Sequence, residues 1–124
     1  MKTSRIGSIG ENVACAYLER HGHQILERNF RVRYGEIDII SSKRGELYFG
    51  EVKAVEATGA LSGSARPEER VDYWKLKRLS KAVQIYLGQH RSSYNGSCRF
   101  LVISVMLDTV TKIARVRMIE DVLE

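Results

Sequence analysis

Two short runs hold the residue types that phosphodiester chemistry uses. In Gly35-Glu36-Ile37-Asp38-Ile39-Ile40, a strand's period of two sets Glu36 and Asp38 on one face and Ile37 and Ile39 on the other. In Tyr48-Phe49-Gly50-Glu51-Val52-Lys53, the same rule joins Glu51 to Lys53, opposite Gly50 and Val52. Hard carboxylate oxygens can hold Mg²⁺, which neutralises phosphate charge and lowers the pKa of a bound water. A neighbouring ammonium can orient that water and stabilise the pentavalent charge. The competing reading makes Asp38 and Glu51 ordinary strand carboxylates, with Lys53 as a cross-strand ion-pair partner. An Asp followed at a variable distance by Glu-x-Lys is, alone, a common pattern.

The two runs must be brought together, and Ser42-Lys43-Arg44-Gly45-Glu46 between them is turn-like, so residues 36–41 and 47–55 are expected to form a hairpin. A symmetric turn that pairs residue 40 with 47 makes Asp38 and Glu51 diagonal neighbours, about 7 Å or less between Cβ atoms. A slip of two residues sets them directly opposite. Both registers gather two carboxylates and one ammonium.

Around the hairpin, residues 6–21 read as a helix with Ile6, Ile9, Val13, Ala16 and Tyr17 at helical spacing and Gly22 as its stop. Residues 24–32 alternate as a strand with Leu26, Phe30 and Val32 on one face, interrupted by Arg28. Residues 57–68 are poor in large apolar groups and hold Gly59, Gly63 and Pro67, so they read as a long flexible loop. From Trp74 to Leu87 a helix shows the stripe Leu76, Leu79, Val83 and Tyr86. The apolar run Arg99–Leu107 fits a strand buried on both faces, and Ile113–Ile119 alternates as a last strand. The expected fold class is α/β, one domain over residues 1–124. It is a mixed β-sheet core flanked by helices in the order α-β-β-β-α-β-β, and the helical crossover permits one parallel pair.

The chain has 124 residues, with 20 basic and 15 acidic side chains. Four of the five excess positive charges fall in residues 71–91, where Lys75, Lys77, Arg78, Lys81 and Arg91 face Asp72 alone. Clustered basic excess is the footprint of a polyanion partner, or simply a solvated helix face. Arg28, Arg31 and Arg33 before the hairpin could line a phosphate track or solvate a strand edge. Tyr73 and Trp74 could stack on unpaired bases, although Trp74 also suits a core. His21 and His23 flank Gly22 at a helix end, where capping explains them better than metal binding. No apolar run approaches the roughly 18 to 20 residues of a membrane span, and no apolar segment follows the basic start as in a secretory signal. Cys15 and Cys98 suit a reducing compartment, so a cytoplasmic location is expected.

Gly10-Glu11, Ala16-Tyr17-Leu18, Ile25-Leu26-Glu27-Arg28-Asn29, Gly35-Glu36-Ile37-Asp38 and Glu51-Val52-Lys53, in this order and spacing, resemble the YraN family of small bacterial proteins. That family is similar to the PD-(D/E)XK nucleases, close in pattern to the archaeal Holliday junction resolvases. The resemblance covers roughly residues 5–105 and implies a restriction-endonuclease-like fold. It also implies metal ligation by Asp38 and Glu51, with the Val52 carbonyl as a third ligand, and Lys53 as the catalytic lysine. Glu11 would be an accessory acid, although Ser8-Ile9-Gly10-Glu11 equally fits a capping box. Lys75 matches a position where the family tends to have lysine. Gly50, Ala54, Leu76 and Leu101 depart from the family's pattern.

The expectation is therefore a Mg²⁺- or Mn²⁺-dependent endonuclease acting on DNA, branched or single-stranded. The expected nucleic-acid contacts are Lys75, Lys77, Arg78, Lys81, Arg31 and Arg33. A homodimer would suit a two-fold symmetric substrate. Two other classes stay open: a nucleic-acid-binding module without turnover, and a protein-interaction subunit whose carboxylates are structural.

Overall fold

The computed structural model describes residues 5–57, 73–90 and 98–120. The expected loop over 57–68 therefore lies, beyond Ala57, outside the described residues, as do the side chains of Tyr73, Trp74, Lys75 and Leu76. The elements are α1 (Arg5–Arg20), β1 (Gln24–Val32), β2 (Gly35–Lys43), β3 (Glu46–Ala57), α2 (Tyr73–Gln89), β4 (Cys98–Asp108) and β5 (Ile113–Glu120). The strands form one sheet in sequence order, antiparallel except for the parallel β3–β4 pair. The expected order and the parallel crossover pair both hold. No helix among the described residues is long and apolar enough to cross a membrane.

Each face of the sheet buries one helix. Ala14, Cys15 and Leu18 of α1 pack with Ile39, Tyr48, Leu101, Ile103 and Val105. Leu79, Ala82, Val83 and Tyr86 of α2 pack with Ile37, Ile40, Leu47 and Phe49. The uninterrupted burial of Leu101–Val105 explains why β4 reads as an apolar run: it is central, parallel to β3 and covered on both sides. Of the expected α2 stripe, Leu79, Val83 and Tyr86 are buried as the periodicity predicts, while the Leu76 side chain lies outside the described residues. The α1 stripe departs from the periodicity, because the helix buries Gly10, Glu11, Ala14, Cys15 and Leu18 and leaves Ile9 exposed. Apolar spacing misplaced that face since two of its five members are a glycine and a glutamate. Gly10 stands where any Cβ would lie 2.5 Å from Ala54 Cβ, so α1 sits directly on β3. The same contact accounts for the small residue at position 54.

The α1 stop is as expected. Gly22 N–H donates to the Glu19 carbonyl and His23 N–H to the Leu18 carbonyl, a Schellman ending. The face assigned to β1 needs correction. Its pairing with β2 shifts register between Ile25 and Glu27, so Leu26 sits at a bulge and is 36% exposed. Ile25 then faces the α1 cluster, while Phe30 and Val32 face the α2 cluster.

Gly35 opens β2 against the backbone of α2. A Cβ there would collide with the Arg78 carbonyl oxygen and approach the Ala82 amide to 3.1 Å, and neither backbone group can turn aside. Gly88, near the end of α2, has nothing within 4 Å. Gly35→Ala should therefore cost about 1 to 3 kcal/mol, a melting loss of roughly 5 °C or more. Gly88→Ala should be neutral or raise stability by up to about 1 kcal/mol. Thermal melts of the two variants check this; equal melting temperatures would mean that β2 does not seat on α2.

Candidate active site

The turn between β2 and β3 decides the register. Lys43 pairs with Glu46, so only Arg44 and Gly45 lie between the strands, and both have positive φ, 52° and 80°. Two left-handed residues in a two-residue loop match the right-handed twist of the strands, and Gly45 takes that conformation without a Cβ penalty. The ladder then runs Ser42–Leu47, Ser41–Tyr48, Ile40–Phe49 and Ile39–Gly50. The next rung in this register would set Asp38 directly opposite Glu51. Of the two registers left open by the sequence, the Arg44–Gly45 turn selects the opposed one.

That rung is not made. The β2–β3 ladder ends at Ile39–Gly50, and the Val52 amide donates instead to Asp38 Oδ2 at 2.8 Å. A side-chain carboxylate thus takes the place of a strand carbonyl at the point where β2 leaves β3. A strand residue directs its N–H and C=O to the same neighbour, so the Val52 carbonyl faces the same gap.

Asp38 also marks a break in β2. Ile37 packs in the α2 cluster, Ile39 in the α1 cluster and Ile40 back in the α2 cluster. Strict alternation, which would put Ile37 and Ile39 on one face, fails at this residue. The partner strand carries the cause: Asn29, opposite Asp38 between the Arg28–Ile39 and Phe30–Ile37 pairs, has φ of 55°. Asparagine adopts that conformation more readily than other side-chain-bearing residues. Its side-chain amide then donates to Glu11 Oε1 at 3.1 Å.

Glu11 is buried on α1 with its carboxylate facing β1. Arg28 approaches it at 3.5 Å and donates to Asn12 at 2.9 Å. Ser8 and Glu11 both lie inside α1, which begins at Arg5, so the capping-box alternative is overturned. The alternative failed because the helix starts before Ser8. Glu51 is buried, and Lys53 Nζ stands 4.0 Å from its Oε2 on the same face of β3. Desolvation by burial, and then the charge of Glu51, push the Asp38 carboxyl up to about 7, against the pull of the Val52 amide. Glu11 and Glu36 add smaller charges of the same sign. Two carboxylates and a backbone carbonyl could take a hard cation, with the Lys53 ammonium beside them. Among the described residues no three His, Cys, Asp or Glu side chains gather tightly enough to hold a metal by themselves.

Other sequence candidates fall elsewhere. Arg31 and Arg78 both reach Glu36 Oε1 at 3.8 Å, and Lys77, Arg78 and Lys81 are exposed on α2. Arg33 lies over the Tyr34 ring, 5.0 Å from its centroid. His21 Nδ1 meets the Tyr17 carbonyl oxygen at 2.8 Å, and buried His23 bonds Ser41 at 2.9 Å, so the two are not a metal pair. Two residues with a part in the site were missed, Asn29 and the linking role of Arg28. Their signal was present in the Arg28-Asn29-Phe30 string, where asparagine in a strand run marks an irregular backbone.

An unfolded aspartate ionises near 3.9, whereas folded Asp38 does so only near 7. Below about pH 4 both states keep the proton; from there to about pH 7 the unfolded chain ionises first, so stability falls as pH rises. At about 1.4 kcal/mol per pH unit of separation the loss is on the order of a few kcal/mol. In chelator, Asp38→Asn should match the wild type near pH 4 and melt increasingly above it toward pH 8. A constant difference across that range would mean that Asp38 ionises normally.

A family model described as "Uncharacterised protein family UPF0102" matches residues 10–105, spanning Glu11, Asp38, Glu51 and Lys53. A UPF0102 protein of Moorella thermoacetica is 40% identical over 120 residues, 97% of this chain and 96% of its own. One from Caldicellulosiruptor bescii is 32% identical over 121 residues, 98% of each. Another from Clostridium kluyveri is 38% identical over 116 residues, 94% of this chain and 91% of its own. With full-length relatives at this identity and the family model over most of its length, the chain belongs to the UPF0102 (YraN) family.

Proposed function

We propose that the protein is an endonuclease-like phosphodiesterase of the PD-(D/E)XK type, dependent on Mg²⁺ or Mn²⁺ and acting on DNA. The observation that carries this reading is half-buried Asp38 set opposite buried Glu51 by the register, with Lys53 beside them. Burial first, and then the charge of Glu51, push the Asp38 carboxyl up to about 7, and a bound cation would offset both. Mg²⁺ takes one or two protein carboxylates and completes its octahedron with water and phosphate, so the pair Asp38 and Glu51 fits it. Asp38, Glu51 and the Val52 carbonyl would hold the ion, which would supply phosphate charge neutralisation and water activation. The Val52 amide fixes Asp38 Oδ2 and leaves Oδ1 for this task. The Lys53 ammonium, anchored by Glu51, would orient the attacking water and stabilise charge on the phosphate. Glu11, held by Asn29 and Arg28, would be the accessory acid. Exposed Lys77, Arg78 and Lys81, with Lys75 on the first turn of the same helix, would track phosphates.

One observation favours a second reading, a binding module without turnover: one Asp38 oxygen is already committed to the Val52 amide. Cleavage assays on labelled branched, single-stranded and duplex DNAs separate the two. The wild type should nick at least one substrate with Mg²⁺ or Mn²⁺ and none in chelator. Asp38→Ala, Glu51→Ala and Lys53→Ala should each abolish nicking. Contaminant-free protein that binds DNA but cuts nothing is the binding module; protein that does neither fits an interaction subunit. Mg²⁺ at about ten times its Kd should raise the stability of the wild type by roughly 1.4 kcal/mol, a melting shift of a few degrees absent from Asp38→Asn.

The basic helix is tested through salt. Replacing Lys75, Lys77, Arg78 and Lys81 by glutamine should weaken binding to all DNA sequences alike. The slope of log K against log salt should flatten by up to about 3 to 4 units if all four touch duplex phosphates. An unchanged slope would make the cluster a solvated helix face.

A further inference from the structure

The corner where β1 turns into β2 presents an aromatic ring with one guanidinium over it and two more nearby at Glu36. Val32 pairs with Gly35, so Arg33 and Tyr34 alone form the turn. Tyr34 is 63% exposed, and the Arg33 guanidinium lies 5.0 Å from its ring centroid. Among the described residues Arg33 pairs with no carboxylate. Arg31 and Arg78 share Glu36 at 3.8 Å each, which brings a strand arginine and a helix arginine to the same corner. Gly35 seats the turn on the α2 backbone at Arg78 and Ala82, so the ring is mounted on the basic helix. Asp38 lies four residues beyond Tyr34, about 13 Å along the strand.

One guanidinium over an exposed ring, with two more gathered at Glu36 two residues along, makes a surface for a strand with unpaired bases. Guanidinium forks take phosphate oxygens, and an aromatic face takes a base of any sequence. In an intact duplex the bases are stacked on one another and offer the ring only a terminal pair. Resting on the proposed nucleic-acid function, we infer that Tyr34 is a stacking platform for an unpaired base, with Arg31, Arg33 and Arg78 on the flanking phosphates. The preferred substrates are then single strands and the open arms of branched molecules, and Tyr34 sets that preference.

Binding measured in chelator separates this inference from turnover. The probes are a labelled single strand, the same sequence as RNA, a fork with one unpaired arm, and a blunt duplex. Tyr34→Ala should weaken binding to both single strands and the fork about fivefold or more, by loss of one stacked base. Its duplex affinity should stay within about twofold of the wild type. Tyr34→Phe, which keeps the ring, should bind like the wild type, and a loss on RNA should match that on DNA, because a ring reads only the base face. Arg33→Gln should weaken every probe. The inference falls if Tyr34→Ala binds single strands as the wild type does, loses duplex affinity equally, or if Tyr34→Phe shares its defect. It falls also if the wild type binds no nucleic acid. Wild-type protein that never cleaves yet shows the Tyr34 dependence ends the nuclease reading and leaves this one standing. Cleavage by a wild type whose binding ignores Tyr34 does the opposite.

Discussion

The hydrogen bond from the Val52 amide to Asp38 Oδ2 organises the centre of the molecule. An antiparallel pair that continued past Ile39–Gly50 would bury both strands' polar groups in one another and leave no gap for chemistry. The strands diverge at that point, and divergence would orphan the Val52 amide. A buried amide without a partner costs about 1 to 3 kcal/mol, so the carboxylate is a condition of the opening as well as an occupant of it. Held by that bond, half-buried Asp38 lies close enough to Glu51 to feel its charge. Structure and electrostatic tension come from one contact.

The tension is tolerated because the surroundings over-determine it. The Arg44–Gly45 turn allows one register only, and that register aims Asp38 at Glu51. On the other side, Asn29 takes a left-handed conformation opposite Asp38 and donates to Glu11, tying the kink in β1 to helix α1. Gly10 lets that helix rest on Ala54, close enough for Glu11 to reach the kink. Carboxylates from β3, α1 and β2 thus all act on Asp38, with Lys53 and Arg28 as nearby counter-charges. A group of like charges held by backbone geometry suits a site where a cation or a polar transition state supplies the balance.

Much of this architecture was legible in the residues. Runs of period two and an apolar stripe of period 3.6 located every described element to within about two residues at most boundaries, because burial on one face imposes those periods. The apolar run of β4 announced a central strand, and Gly22 announced the end of α1. Besides the α1 face, where a glycine and a glutamate are buried, the misreadings occurred where one residue broke the period. Leu26 lies on a bulge, and Asp38 interrupts the alternation of Ile37 and Ile39. A pattern count assumes an unbroken strand and cannot register an extra or left-handed residue.

The sequence by itself determined the fold class, the concentration of basic charge before residue 92, and the carboxylate and lysine types of the candidate site. Local periodicity and composition carry that information, since each depends on residues near one another in the chain. Tertiary structure decided which face of α1 is buried, which register opposes Asp38 to Glu51, and where the Glu11 carboxylate points. Those outcomes depend on distances between segments far apart in sequence. Gly10 meets Ala54, Asn29 meets Glu11 and Gly35 meets Arg78 only when the sheet closes, and at those contacts steric fit and polar satisfaction overrule the local pattern.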